Sequence, residues 1–518
     1  MITLITDGAP THEYGVKSLV GYLQANDVPV KAIYMNYCRI LHKRLKEQIL
    51  DIAKGSKLVG FSLMSKDVSI FMPAIHDIRY KLKIPVVLGG VHPTALPKET
   101  LGFSDYVCIG EGEEPLKQLY FAIQKEGSSL NDIPNIAYKE KGGEIFVNRV
   151  EYFVNDMDEL PYPDYRFETS YYHNHIRIEK ITPDVRSNAF DSFYFYSQRG
   201  CKLACAYCSN SIYSKMARDS GKRWYRMASV KRVINELKVH LQNFPRVKFL
   251  TFNDDDFMAR DIGELRGITC FVKNELKLPF SVNGIPKYAT DEKIKLLVDN
   301  GLRVIAFGVQ SGSPRVLRDI YRRPVTREDV LQAANVVSKY QKRGLIADYG
   351  FILDNPYEKN GEWLETLSMI RALPKPRTIS LYSLEFFPGT VLTNQAVKEA
   401  VIDNPRLSDY NKDYRSDIEY SFKNTIFFLY SYFDVPEWLD SFLSLKFMMR
   451  SKAGAPFRFI MVYPLGYLIR MSKRVASANR ETFFLIKILK KIWVVKTIKH
   501  MIKQARFSLS SGRVSCEK

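Results

Sequence analysis

At 518 residues the chain is too long for one ordinary domain, and its 46% hydrophobic content is ample for packed cores, which excludes a disordered protein. Seven cysteines, an odd number unevenly spread, argue against a disulfide framework and for a reducing interior. The formal net charge of +20 is concentrated at one end: residues 441–518 carry 17 Lys and Arg against only Glu481 and Glu517, so the rest is close to neutral.

The opening residues, Met1-Ile-Thr-Leu-Ile-Thr-Asp7, lack a basic stretch ahead of their apolar run and read as a buried strand, not a signal peptide. No apolar run reaches the roughly 18 residues of a membrane-spanning helix. Over residues 1–140, β-branched runs at Ile2–Thr6, Val30–Met35, Leu58–Met64, Pro85–Val91 and Asp105–Gly110 alternate with helical patterns such as Gly15–Ala25 and Val68–Lys83. Near-continuous apolar strands separated by helices predict a parallel sheet covered on both faces. Ligands of such sheets bind at the carboxyl ends of strands. Leu88-Gly89-Gly90-Val91-His92-Pro93 and Ile109-Gly110-Glu111-Gly112-Glu113 fall there, where glycines allow close backbone approach. Turn chemistry alone is the other explanation.

Residues 141–185 read as a connector, with Pro161 and Pro163 forbidding a continued helix. From 186 to 395 the alternation returns. Strands are expected at Phe193–Ser197, Val247–Asn253, Phe280–Asn283, Val304–Gly308, Asp348–Leu353 and Ile379–Phe386, with helices such as Val230–Gln242, Asp291–Asn300, Arg327–Arg343 and Glu362–Ala372 between them. Repeated βα units of this length fit an incomplete parallel barrel with its active site at the carboxyl-terminal strand ends. After the first of these strands comes Cys201-Lys202-Leu203-Ala204-Cys205-Ala206-Tyr207-Cys208. Three thiolates so close suit an iron–sulfur cluster, since soft sulfur ligands hold iron. A zinc knuckle would show a second ligand pair, which is missing downstream. Without a fourth cysteine nearby, a 4Fe-4S cluster would keep one iron open for a substrate or cofactor.

This loop resembles that of the radical S-adenosylmethionine (SAM) enzymes, and Val59-Gly60-Phe61-Ser62-Leu63, Leu88–Pro93 and Gly110–Glu113 resemble the cobalamin-binding domain that precedes many radical SAM domains. The resemblance covers about residues 1–395. It implies that Cys201, Cys205 and Cys208 ligate the 4Fe-4S cluster, and that Ser62, Gly89, Gly90 and Gly110 cradle cobalamin. His12, in His12-Glu13-Tyr14-Gly15, is a candidate cobalt ligand, although the Asp of the usual D-x-H-x-x-G pattern is displaced to Asp7; a polar residue on the first βα loop is the better-supported reading. Tyr207 would flank the SAM adenine or simply pack. Asp254 and Asp255, in Phe252-Asn253-Asp254-Asp255-Asp256-Phe257, resemble paired acids near SAM; alone they would read as a solvated loop. Gln310 and Ser311, in Gly308-Val309-Gln310-Ser311-Gly312-Ser313, would hydrogen-bond SAM, with an amide at Gln310 where many relatives have Glu. Arg323 matches a basic position that could pair with a carboxylate, or is a solvated helix-end arginine. Asp354-Asn355-Pro356 departs from the family's G-L-P-G-E-T-like turn, while Phe387-Pro388-Gly389-Thr390 matches its closing turn.

The expected architecture is α/β: a Rossmann-like cobalamin-binding domain over 1–140, a connector over 141–185, a partial (β/α)6 radical SAM barrel over 186–395, and a basic, mainly helical region over 396–518. In the last region, Leu485, Ile488, Leu489, Ile492 and Trp493 would share a helical face opposite Lys487, Lys490 and Lys491. Such a helix can lie on anionic membrane or cap the barrel; nucleic acid is a third option without a recognisable module. The implied function is SAM cleavage by the cluster with cobalamin, commonly methylating an unactivated carbon of a small-molecule or lipid substrate. Radical cyclisation or rearrangement, and a non-catalytic cobalamin or cluster sensor, are the alternatives. An electron donor such as flavodoxin or ferredoxin and a cytoplasmic location, with peripheral contact at the inner membrane face, go with that reading.

Overall fold

The computed structural model describes residues 1–403 apart from 126, 141 and 360, together with 418, 419 and 421–432. The chain divides into two compact units, Met1–Asp417 and Ile418–Lys518. In the second, the described residues form a helix over Phe422–Tyr432. The basic stretch at 441–518 and its expected amphipathic helix lie outside the described residues. Among the described residues no helix is long and apolar enough to cross a membrane.

The first unit contains two large sheets. The apolar runs of the amino-terminal part become β1 (Ile2–Thr6), β2 (Val30–Tyr34), β3 (Leu58–Ser62), β4 (Val86–Gly89) and β5 (Tyr106–Cys108), which pair in parallel in the order β5-β4-β3-β1-β2. This is a doubly wound order whose direction reverses between β1 and β3, the place where such sheets open a crevice for a ligand. Helices Lys43–Ala53 and Ser65–Tyr80 cover one face, bringing Leu45, Ile49, Phe71, Ile75 and Ile78 onto Ile5, Ile33, Val59, Phe61 and Leu88. Fully burying each large aliphatic or aromatic side chain stabilises the domain by roughly 1.5–3 kcal/mol. The second of these helices starts where Asp67 accepts from the Met64 N–H at 2.9 Å.

The sheet runs beyond the expected boundary at 140. Antiparallel strands β6 (Ile136–Lys139) and β7 (Ile145–Val147) extend it past β5, while β8 (Ser170–His173) and β9 (Ile178–Lys180) extend it past β2. Residues expected to be only a connector therefore close both sides of the first sheet.

The six expected barrel strands are all present, as β10 (Ser192–Phe195), β13 (Phe249–Phe252), β14 (Phe280–Gly284), β15 (Leu302–Gln310), β16 (Ile346–Leu353) and β17 (Arg377–Ser383), paired in parallel in chain order. Between β10 and β13 lies a short antiparallel pair, β11 (Gln198–Arg199) with β12 (Arg226–Met227), whose connection carries the cysteine loop and the helix Asn210–Asp219. Burial alternates along β14 and β16: one face packs under helices and the other is half-buried toward the lumen. Helix Arg327–Ser338 begins with a reciprocal cap, Asp329 N–H donating to Thr326 Oγ1 at 3.1 Å and Thr326 N–H to Asp329 Oδ2 at 2.8 Å.

Candidate cofactor site between the first sheet and the barrel

A cavity of about 370 Å³ lies between the carboxyl ends of the first sheet's strands and the mouth of the barrel. All four residues expected to cradle a corrin, Ser62, Gly89, Gly90 and Gly110, line it. Their backbone explains why glycine is needed. Gly90 has φ +94°, and a Cβ there would sit 2.8 Å from the Leu63 backbone. Gly110, at φ +77°, donates its N–H to Thr94 Oγ1 at 2.9 Å, fixing the turn after β5. Tyr14 and Gly15 line the cavity, but His12 does not. The His12 ring instead packs on Tyr194, with centroids 3.8 Å apart, and burial lowers its pKa.

The opposite wall carries the cysteine loop's launch point. Arg199 ends β11 and Gly200 follows at φ +79°, where a Cβ would meet the Trp224 carbonyl at 2.6 Å. Gly200, Trp224 and Asn210 line the cavity. The loop is stitched to the barrel by Ala206 N–H donating to the Tyr321 carbonyl at 2.8 Å, and Leu392 N–H to the Ala206 carbonyl at 2.9 Å. All three cysteines are free. Burial, with Asp255 adding to it, pushes the Cys201 thiol up to about 12 and Cys208 to about 11, so the bare loop favours neutral thiols and thiolates call for a bound cation. Arg323, 8% exposed, already brings one positive group within 3.5 Å of Cys205 Sγ, while its second amino group donates to the Gly308 carbonyl at 2.6 Å and its Nε has no partner. Among the described residues no three His, Cys, Asp or Glu side chains converge on a single ion. Three thiols within eight residues, beside a buried guanidinium, are the donor type that an iron–sulfur cluster takes, one thiolate per iron.

The remaining residues expected around SAM fall into two groups. Asp255 is exposed toward the cavity, where it accepts from Asn210 Nδ2 at 2.9 Å, and burial of its surroundings raises its pKa. Gln310 ends β15 at φ +72°, a left-handed conformation uncommon outside glycine that often marks a functional position. Tyr207 borders a cluster of Val316, Leu317, Tyr321 and Leu392, edge-on to Tyr321 at 4.9 Å, which supports the packing alternative. Asp254 and Ser311 have hydrogen-bond partners within the protein. Asp254 borders the cavity, but its oxygens accept from Ser197 N–H at 2.6 Å, from Gln198 N–H at 3.1 Å and from the Ser197 hydroxyl, and burial pushes it up to about 6. Ser311 Oγ accepts from Ser313 N–H at 3.1 Å and lies 3.3 Å from Thr366 Oγ1. Both side chains fix backbone beside the site.

Sequence reasoning passed over the charged groups between the walls. Glu111 and Glu113, noticed only for their neighbouring glycines, meet Arg199 and Arg226 of the β11–β12 pair. The adjacency of Arg199 to Gly200-Cys201 was the available clue.

Residues 2–120 match the B12 binding domain family and residues 195–370 the radical SAM superfamily. An uncharacterised methyltransferase of Pyrococcus horikoshii is 28% identical over 292 residues, which cover 56% of this chain and 58% of that protein; the chain thus spans little more than half of it. Cytidylyl-2-hydroxyethylphosphonate methyltransferase of Streptomyces wedmorensis is 22% identical over 411 residues, 70% of this chain and 71% of that one. Among solved structures, the cobalamin-dependent radical SAM enzyme OxsB with aqua-cobalamin bound superposes with a TM-score of 0.62 at 18% identity, over 96% of this chain and 76% of that one. The radical SAM methyltransferase TsrM from Kitasatospora setae, with cobalamin and a [4Fe-4S] cluster bound, gives 0.58 at 18%, over 77% and 78%. The order of domains thus agrees with the comparisons: the chain carries an amino-terminal B12 binding domain followed by a radical SAM domain.

Proposed function

We propose that the chain is a cobalamin-dependent radical SAM methyltransferase acting on an unactivated carbon of a small-molecule or lipid substrate. The observation that carries this reading is the shared cavity, bounded on one side by Ser62, Gly89, Gly90 and Gly110 and on the other by the start of the cysteine loop. When bound, a reduced 4Fe-4S cluster supplies the electron that cleaves SAM to a 5′-deoxyadenosyl radical, and cobalamin supplies a methyl carrier. Cys201, Cys205 and Cys208 would hold the cluster, with the Arg323 guanidinium offsetting thiolate charge at Cys205. Asp255 and the Gln310 amide would offer acceptors to SAM. Gly89, Gly90 and Gly110, without side chains, would let a corrin approach the backbone closely. A flavodoxin or ferredoxin would deliver the electron in the cytoplasm, and the basic residues of 441–518 would touch an anionic membrane surface if the substrate is a lipid.

The test is anaerobic reconstitution with iron, sulfide and cobalamin, followed by chromatography after addition of SAM and a strong reductant. Expected are retained corrin absorbance and formation of 5′-deoxyadenosine that Cys205→Ala abolishes. A chain that takes up neither cluster nor corrin sinks the reading, and corrin uptake with no SAM cleavage on any substrate points to the sensor alternative.

A further inference from the structure

Glu111, Glu113, Arg199 and Arg226 form a buried network whose charges cancel, with each side chain no more than 11% exposed. Glu111 Oε1 accepts from Arg226 Nη2 at 2.7 Å and lies 3.2 Å from Arg199 Nη1. Its Oε2 accepts from Arg226 Nη1 at 3.0 Å and from the Val154 N–H at 2.6 Å. Glu113 Oε1 accepts from Arg199 Nη2 at 2.5 Å and from Ser18 Oγ at 2.9 Å. Burial opposes ionisation of Glu111, but Arg199 and Arg226 outweigh it and hold the carboxyl below its ordinary range.

The placement of these groups is what matters. Glu111 sits on the turn after β5, whose Gly110 and Gly112 wall the cavity, and Glu113 opens the helix that follows, Glu113–Ala122. The two arginines are register partners in the antiparallel β11–β12 pair, and Gly200 and Cys201 follow Arg199 directly. One carboxylate thus spans from the glycine wall to the start of the cysteine loop and also clasps the Val154 backbone. Buried ion pairs are weak sources of stability, and their best-attested use is to fix a register.

We propose that Glu111 is a positioning residue that couples the two sites: a corrin against the glycine wall and a cluster on the cysteines favour the same setting of the Glu111–Arg199–Arg226 network, so each tightens binding of the other. Such coupling is reciprocal by thermodynamic linkage. The inference rests on the reading that the cavity takes cobalamin and the cysteines a cluster.

The test is an anaerobic titration of aquacobalamin, followed by its absorbance, into the full chain with and without reconstituted cluster. It compares wild type, Glu111→Gln, and the double variant Glu111→Gln with Arg226→Met, which leaves Arg199 and Glu113 as a balanced pair. In wild type, cluster loading is expected to tighten corrin binding by at least about fivefold; in both variants the effect falls to less than about twofold. A merely structural Glu111 would weaken both titrations equally and leave their ratio unchanged. The proposal is overturned if Glu111→Gln or the double variant keeps the ratio, or if wild type binds both groups without coupling. It is overturned too if both variants fail to fold, since the network is then a stability element. Wild type that binds neither group refutes the functional reading itself, a failure visible without any variant.

Discussion

The two large sheets of the first unit bury their parallel strands in different ways. Every residue of β1 is buried, and β3 is buried but for its last residue, because helices or loops lie on both faces. Along β14 and β16 burial alternates with every residue, one face under helices and the other half-open. A two-sided sheet leaves a ligand nowhere but the strand ends, and there Ser62, Gly89, Gly90 and Gly110 gather. A one-sided sheet curved into a partial barrel offers its lumen as well, so polar side chains such as Ser281, Asn283 and Asp348 can stand in mid-strand.

The contrast is sharpest for side-chain truncation. Ile5, fully buried in β1, is expected to cost about 2–5 kcal/mol as Ile5→Ala through lost burial and a residual cavity. Ser281→Ala in β14 loses a 3.0 Å hydrogen bond to Thr251 on the half-open face and is expected to cost under about 1.5 kcal/mol. Thermal unfolding of the two variants compares them directly, and equal costs would erase the distinction.

A second probe asks what the first domain's packing does to a charge. Lys17 is fully buried, its Nζ donating to the Thr11 carbonyl at 3.0 Å and lying 4.0 Å over the Tyr165 ring, and burial lowers its pKa to about 7. An unfolded lysine titrates near 10.4, so between pH 7 and about 10 the unfolded chain binds more protons and folded stability rises with pH from this group. Below pH 7 the full penalty of a buried ammonium is in place. Lys17→Met removes this slope: its stability advantage over wild type should shrink as pH rises from 7, by up to roughly 1.4 kcal/mol per pH unit. Denaturant unfolding at pH 7, 8 and 9 checks it; a constant difference would mean that the ammonium is solvated.

The smallest effect compares two strand glycines. A Cβ on Gly60 of β3 would lie 2.8 Å from Leu4 Cδ2, whereas one on Gly350 of β16 has its nearest neighbour, Tyr382 Cε2, at 3.4 Å. Gly60→Ala should destabilise by about 1–3 kcal/mol and Gly350→Ala by less than that. Matching shifts in unfolding midpoint would show that the lumen is as tightly packed as the covered sheet.

Much of this was legible in local sequence. Apolar runs located all six barrel strands and the five parallel strands of the first sheet, because each run is one element long and its burial pattern follows from residue type. The three cysteines and the glycine turns were equally plain, since their chemistry is confined to a few adjacent residues. What stayed hidden depends on partners distant along the chain. Asp254 looks available until Ser197, 57 residues earlier, supplies its donors, and Ser311 until Thr366, 55 residues later, meets its hydroxyl. Arg226 and Glu111 are 115 residues apart. Likewise β8 has no pattern of its own that announces pairing with β2.

That last pairing bears on how the chain can be dissected. A fragment ending at residue 140 would lose β7, β8 and β9, turning β2 into an open edge in which Val30, Ala32, Ile33 and Tyr34 are all apolar or aromatic. Unpaired N–H and C=O groups on such a strand recruit other chains, so the fragment would self-associate. An autonomous corrin-binding piece has to run through Ile181, whose N–H closes onto the Ser170 carbonyl at 2.9 Å.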